Sequence, residues 1–116
     1  MRDNVIVDKS KAFALRIIKL YKFLCDEKKE YILSKQLLRS GTSIGANVKE
    51  AERGQSNADL YAKMNISLKE ASETEYWLEL LHESDYIDDR AFESIYSDRQ
   101  ELIKILVSIT KHQQNK

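Results

Sequence analysis

Apolar residues recur along this chain at alternating intervals of three and four, in four runs separated by short polar stretches. That spacing puts them on one face of an α-helix. In the first run, over about 8–26, Phe13, Ile17, Leu20 and Leu24 form one line, and Ala14, Ile18, Tyr21 and Cys25 a second beside it, with Asp8 as N-cap. The charged stretch DEKKE (26–30) reads as a turn. A second helix is predicted over about 34–53, with Leu37, Gly41, Ile44, Val48 and Ala51 as its seam and Gly54 as its C-terminal cap. The third, over about 57–84, is capped by Ser56 or Asn57 and carries Tyr61, Met64, Leu68, Ala71 and Leu78. After a connection at 84–89, Asp88 or Asp89 caps a fourth helix, where Phe92, Ile95, Leu102, Leu106 and Ile109 keep register except at Arg99. The final HQQNK reads as a frayed tail.

The absence of Pro and the presence of only three Gly among 116 residues argue against a turn-rich β protein and for a few long helices. Short connections force successive helices antiparallel, so the predicted fold is all-α: an up-down-up-down antiparallel four-helix bundle, one domain over 1–116. The lone Cys25 cannot form an internal disulfide. No stretch is apolar enough for a signal peptide or a membrane span, so a cytoplasmic protein is expected by elimination.

Charge is balanced overall but unevenly placed. Residues 1–53 carry 12 Lys/Arg against 7 Asp/Glu, and residues 54–116 carry 7 against 12. Solvated helix faces account for this; so does a molecule with a basic and an acidic half, able to pair head to tail with its own copies or to meet a polyanion.

The stretch RSGTSIGANVKEA (39–51) is unusual inside a helix. Gly41 and Gly45 each cost about 0.5–1 kcal/mol relative to Ala there, a cost that a close helix crossing offsets; a ligand against bare backbone is the alternative. Lys35, Arg39, Lys49 and Arg53 line one face of the same helix and are the candidate nucleic-acid contacts, RNA or DNA, against the plain reading of a solvated face near Glu50 and Glu52. Gln36, Ser40, Ser43, Asn47 and Glu50 form a polar stripe beside it. In the third helix Glu75 falls on the apolar seam and needs a partner, with Arg39 or the Ser43/Asn47 stripe as the candidates. Tyr76, Trp77 and Leu80 extend past a single stripe and are the candidate oligomer interface. Glu79 and His82 have the spacing of di-iron bundle ligands, but the second such pair is missing. No metal or cofactor is therefore expected, and an enzyme using Glu75, Glu79 and His82 is the rival reading.

SIGANVKEAERGQS followed by LKEASETEYWLELL resembles the bacterial four-helix-bundle proteins related to the 23S ribosomal RNA intervening-sequence proteins. The family pattern falls on Gln36, Arg39, Ser43, Ile44, Ala46, Asn47, Val48, Glu50 and Ala51, and its later acidic pair and leucine on Glu73, Glu75 and Leu78. This chain departs from it at Gly45, where many members carry Pro, and at Ala51, where many carry Gly. The resemblance implies a homopentameric ring without established enzyme activity. It also extends to accessory proteins of diversity-generating retroelements, which bind nucleic acid and a reverse transcriptase and are markedly more basic than this chain. The expected function is a non-catalytic, homo-oligomeric scaffold or adaptor whose protein partner the sequence does not name.

Overall fold

The structure, a computed structural model, describes residues 4–54 and 56–114. It contains α1 (Asn4–Asp26), α2 (Leu33–Glu52), α3 (Asn57–Glu83) and α4 (Asp89–Gln114), with no strand among the described residues. Each helix packs on its neighbours in chain order and α4 returns to α1, while the diagonal pairs do not approach. This is the antiparallel four-helix bundle that the periodicity predicts. Its core runs the length of the bundle, through Phe13, Ile17, Leu24, Leu37, Ile44, Met64, Leu78, Leu81, Leu102 and Leu106, all nearly or wholly out of solvent.

The α2 seam is as predicted, since Leu37, Gly41, Ile44, Val48 and Ala51 are all buried. The α3 seam differs. Leu68 is half-buried, and Ser67 and Thr74 occupy the core instead. Both hydroxyls are satisfied: Ser67 Oγ donates to Ile44 O at 2.9 Å, and Thr74 Oγ1 to Ser40 Oγ at 2.9 Å. Those bonds tie α3 to α2 at two heights and fix their register.

Several ends also differ from expectation. α1 begins at Asn4, so Asp8 lies inside the helix rather than capping it. The extra turn is held by packing, with Ile6 fully buried and Ser10 nearly so. Gly54 is not a left-handed cap, since no glycine here has positive φ; α2 ends at Glu52 and Arg53 N–H reaches Glu50 O at 3.1 Å. The left-handed positions are Lys29 (φ 54°) and Asp85 (φ 68°), in the two connections at one end of the bundle. At Lys29 this turn lets Glu30 N–H donate to Leu24 O at 3.0 Å and closes α1. Ser56 caps α3 through Asp59 N–H at 3.1 Å, and Asp88 caps α4 through Ala91 N–H at 2.8 Å. α4 continues through Gln114, into the segment read as a frayed tail, whose last two residues lie outside the described ones.

α2 starts without a side-chain cap at Ile32, because Glu30 does that work from inside the connection. Its Oε2 accepts from Ile32 N–H at 3.2 Å and Leu33 N–H at 3.0 Å, and its Oε1 from Ser34 N–H at 2.7 Å. Burial pushes the Glu30 carboxyl pKa up, but the three backbone N–H bonds outweigh it and hold the group below its usual value of 4.5. A carboxylate with a lowered folded-state pKa stabilises the fold above 4.5 and loses that contribution as pH falls through the folded value. Glu30→Gln is expected to cost about 1–2 kcal/mol at neutral pH. The gap in melting temperature from the parent should shrink on acidification; a gap constant with pH would mean the charge is not what caps α2.

Candidate functional site

Gly41 and Gly45 lie where α2 crosses α1. A Cβ on Gly41 would sit 2.7 Å from Ile17 Cγ1 and 2.9 Å from its Cγ2, and a Cβ on Gly45 would meet Ser10 O at 3.3 Å. The glycines therefore serve the close crossing predicted for them. Above Gly45 this crossing leaves a shallow groove of about 380 Å³, floored by Ala14, Thr42 and Ala46 with Lys11 and Lys49 at its rims.

The basic line of α2 is exposed along its length, at Lys35, Arg39, Lys49 and Arg53. Of these, Lys49 forms the one ion pair found among the described residues, a 3.8 Å contact with Glu52. Glu50, the other acid beside the line, turns to α3 and pairs with Lys63 at 3.0 Å. Among the described residues, Lys35, Arg39 and Arg53 thus stand without a carboxylate partner on an outward face.

The other small and polar residues of that stretch serve the helix itself and its contact with α3. Ser43 Oγ donates to Arg39 O at 2.6 Å and Asn47 Nδ2 to Ser43 O at 2.8 Å, each one turn back. Ile44 is buried, Ala46 is exposed, and Ser40 is buried against Thr74.

Glu75 requires a correction. It is not on the core seam, and neither Arg39 nor the Ser43/Asn47 stripe is its partner. It faces α4, where Oε1 accepts from Arg99 Nη2 at 2.9 Å and Oε2 from Tyr96 OH at 2.5 Å. Arg99, the break in the α4 pattern, is 3% exposed. Its Nε donates to Ala71 O at 2.9 Å and its Nη1 to Gln100 Oε1. The hydrogen bond to Glu75, with burial second, pushes the Tyr96 phenol above its ordinary pKa. The unit is a polar clasp between α3 and α4. Sequence reasoning saw Arg99 only as an interruption; a long cation at a core register position was the available signal.

Of the remaining acid-base candidates, His82 is engaged by neighbours. His82 Nε2 lies 2.7 Å from Asp89 Oδ1, and its ring stacks on Phe92 at 4.2 Å, joining the end of α3 to the start of α4. Glu79 is half-buried beside them in the chain. Among the described residues no three His, Cys, Asp or Glu side chains are grouped to hold a metal ion, and no helix is long and apolar enough to cross a membrane.

The aromatic candidates form a ridge on α3. Tyr76 is 54% exposed, Trp77 and Leu80 are half-buried, and the two rings lie 5.2 Å apart, tilted by 60°. Trp77 Nε1–H points to Glu73 Oε1 at 3.4 Å. On the far side of the bundle a groove of about 490 Å³ opens between α1 and the α3–α4 connection, lined by Lys19, Leu20, Phe23, Lys28 and Ala91 among others. The sequence patterns did not reveal it, although Phe23 lies off both apolar lines of α1.

Comparison with known proteins places this architecture. No curated protein matches the chain. A solved structure of a protein of unknown function from the S23 ribosomal protein family of Bacteroides thetaiotaomicron VPI-5482 is 60% identical to it. The match covers 96% of this chain and 99% of that one, with a TM-score of 0.93. Residues 2–108 match the family described as 23S rRNA-intervening sequence protein. With nearly the whole sequence inside that match and the fold shared throughout, the chain belongs to the 23S rRNA-intervening sequence protein family.

Proposed function

We propose that this chain is a non-catalytic subunit that assembles with its own copies into a ring. The ring acts as a scaffold or adaptor, with the basic face of α2 turned toward nucleic acid or a ribonucleoprotein. The observation that carries this reading is the pairing of an uncovered aromatic ridge with a separate, unneutralised cationic line on one small bundle. Tyr76 beside Trp77 is amphipathic contact surface of the kind enriched at interfaces. Among the described residues, Lys35, Arg39 and Arg53 have no carboxylate to displace before meeting a phosphate. The family description names an rRNA intervening sequence, which makes RNA the first polyanion to test.

Four cations on one copy bind weakly, while linked copies multiply the apparent affinity without any new contact. In light scattering the parent should exceed the single-chain mass of 13.5 kDa severalfold. RNA binding should be sequence-tolerant and fall by orders of magnitude between low and physiological salt. Lys49→Glu with Arg53→Glu should abolish binding while leaving the oligomer intact. Unchanged affinity in that variant would remove the nucleic-acid arm and leave the scaffold, and a single-chain mass for the parent would remove the scaffold.

A further inference from the structure

The basic line of α2 does not stand alone on its side of the bundle. Thr42, Ala46 and Lys49 share one wall of the groove at the Gly45 crossing, and Val7, Lys11 and Ala14 of α1 form the other. An α-helix returns nearly to the same face after about seven residues. Lys35 and Arg39 therefore fall one such repeat before Thr42 and Ala46, and Arg53 falls one repeat after Ala46. The line runs along the seam between α1 and α2, and Lys11 faces it from the other helix. Among the described residues no carboxylate lines this groove. Lys11 is exposed and forms no ion pair among those residues, nor does the exposed Asp8 one turn before it. Lys49 keeps only the 3.8 Å contact with Glu52, which is not part of the lining. Between the two cations the floor has no side chain longer than that of Thr42, and no aromatic ring lines it.

We infer that this groove seats one sugar–phosphate strand of RNA between Lys11 of α1 and Lys49 of α2, which makes Lys11 a binding residue alongside the α2 line. This rests on the nucleic-acid reading above and gives it a place in the fold. Charge selects the occupant. Cations on both walls, with no acid between them, favour a chain that carries a negative charge at every repeat. Shape selects how that chain lies. The small floor lets the ribose come down against the two helices while the phosphates meet the ammonium groups at the rims. With no ring in the groove to stack on, the bases point outward, so the backbone is held and the sequence is not read.

The test titrates a fluorescein-labelled, single-stranded oligouridine with the protein and follows anisotropy across a salt series. Lys11→Glu should weaken binding about tenfold and flatten the salt dependence by about one phosphate contact. Ala46→Leu alters no charge and lies at an exposed position, so the melting temperature should stay parental. Its longer side chain holds the strand off the floor, and binding should again weaken about tenfold. Lys69→Glu makes the same charge change on α3, which does not pack on α1, and should bind as the parent does. Poly-glutamate at equal charge concentration should fail to displace the RNA. A parent that binds while either Lys11→Glu or Ala46→Leu matches it would overturn the groove and leave the nucleic-acid reading standing, as would a Lys69→Glu loss equal to that of Lys11→Glu. Displacement by poly-glutamate would overturn RNA as the occupant. A parent that binds no RNA even at low salt would overturn both this seat and the nucleic-acid reading beneath it.

Discussion

Gly41→Leu is expected to lower the stability of the fold by about 3 kcal/mol or more, although leucine is the better helix former. Even the first carbon of a new side chain would lie 2.7 and 2.9 Å from two atoms of Ile17, a residue with no exposed surface. Both atoms are attached to the Ile17 Cβ, so they cannot swing away as a flexible terminus would, and α1 must move off α2. Gly41→Ala should already cost about 1–3 kcal/mol, while Gly45→Ala, which meets Ser10 O at 3.3 Å and Ser10 Oγ at 3.4 Å, should cost less than Gly41→Ala. Urea denaturation decides the matter. If the clash is the cause, Ile17→Ala with Gly41→Ala will be more stable than the sum of the two single losses predicts. Strict additivity, or a Gly41→Leu protein that melts above the parent, would mean that the crossing is not held by lack of a side chain.

The second large effect is expected at the clasp between α3 and α4. Arg99→Leu should cost about 2–4 kcal/mol, or a fall in melting temperature of roughly 8–16 °C at about 4 °C per kcal/mol. Removing a buried partner strands a carboxylate, which is worse than never having buried the pair. The range is set below the usual figure for fully buried pairs because the Glu75 side chain keeps 32% of its exposure and water can reach it. That reasoning predicts a partial rescue: Glu75→Gln added to Arg99→Leu removes the stranded charge and should recover part of the loss. Tyr96→Phe alone should cost about 1 kcal/mol, as one hydrogen bond among several. If Arg99→Leu melts within 2 °C of the parent, the clasp contributes little and Arg99 is only filling space.

The parts of this fold legible in sequence were those written in one helix at a time. The Leu37 to Ala51 line needs no knowledge of its neighbours, because a residue at every third or fourth place must share a face. The first turn of α1 was hidden for a local reason. Val5, Ile6 and Val7 are β-branched and look extended, and Asp8 after them looks like a cap; burial of Ile6 against the other helices overrides both signals. Glu30 was hidden because it caps from within a charged stretch, where one carboxylate among several gives no pattern. The partner of Glu75 was hidden for a different reason. Periodicity shows which angle a side chain takes from its own helix axis, but not whether α2 or α4 stands on that side, since this depends on the hand of the bundle. The candidate surfaces followed the same division. The cationic line and the aromatic ridge each belong to one helix and were visible, whereas the groove needs α1 and the α3–α4 connection together.

The α1/α4 seam differs in kind from the other three. Each of the others joins helices consecutive in the chain, whereas this one joins helices from the two ends of the fold, and its packing is the sparsest of the four. Across its rim run Lys9 to Glu101 at 3.1 Å and Arg16 to Asp98 at 2.6 Å, both between side chains about half in water and so of small net worth. The bundle is therefore less a closed barrel than a folded screen whose outer panels are lightly latched, and amide protons should exchange soonest where that latch opens. Any molecule that bridged α1 and α4 would bind the latched form and not the open one, so its binding would add to the stability of the fold and slow that exchange.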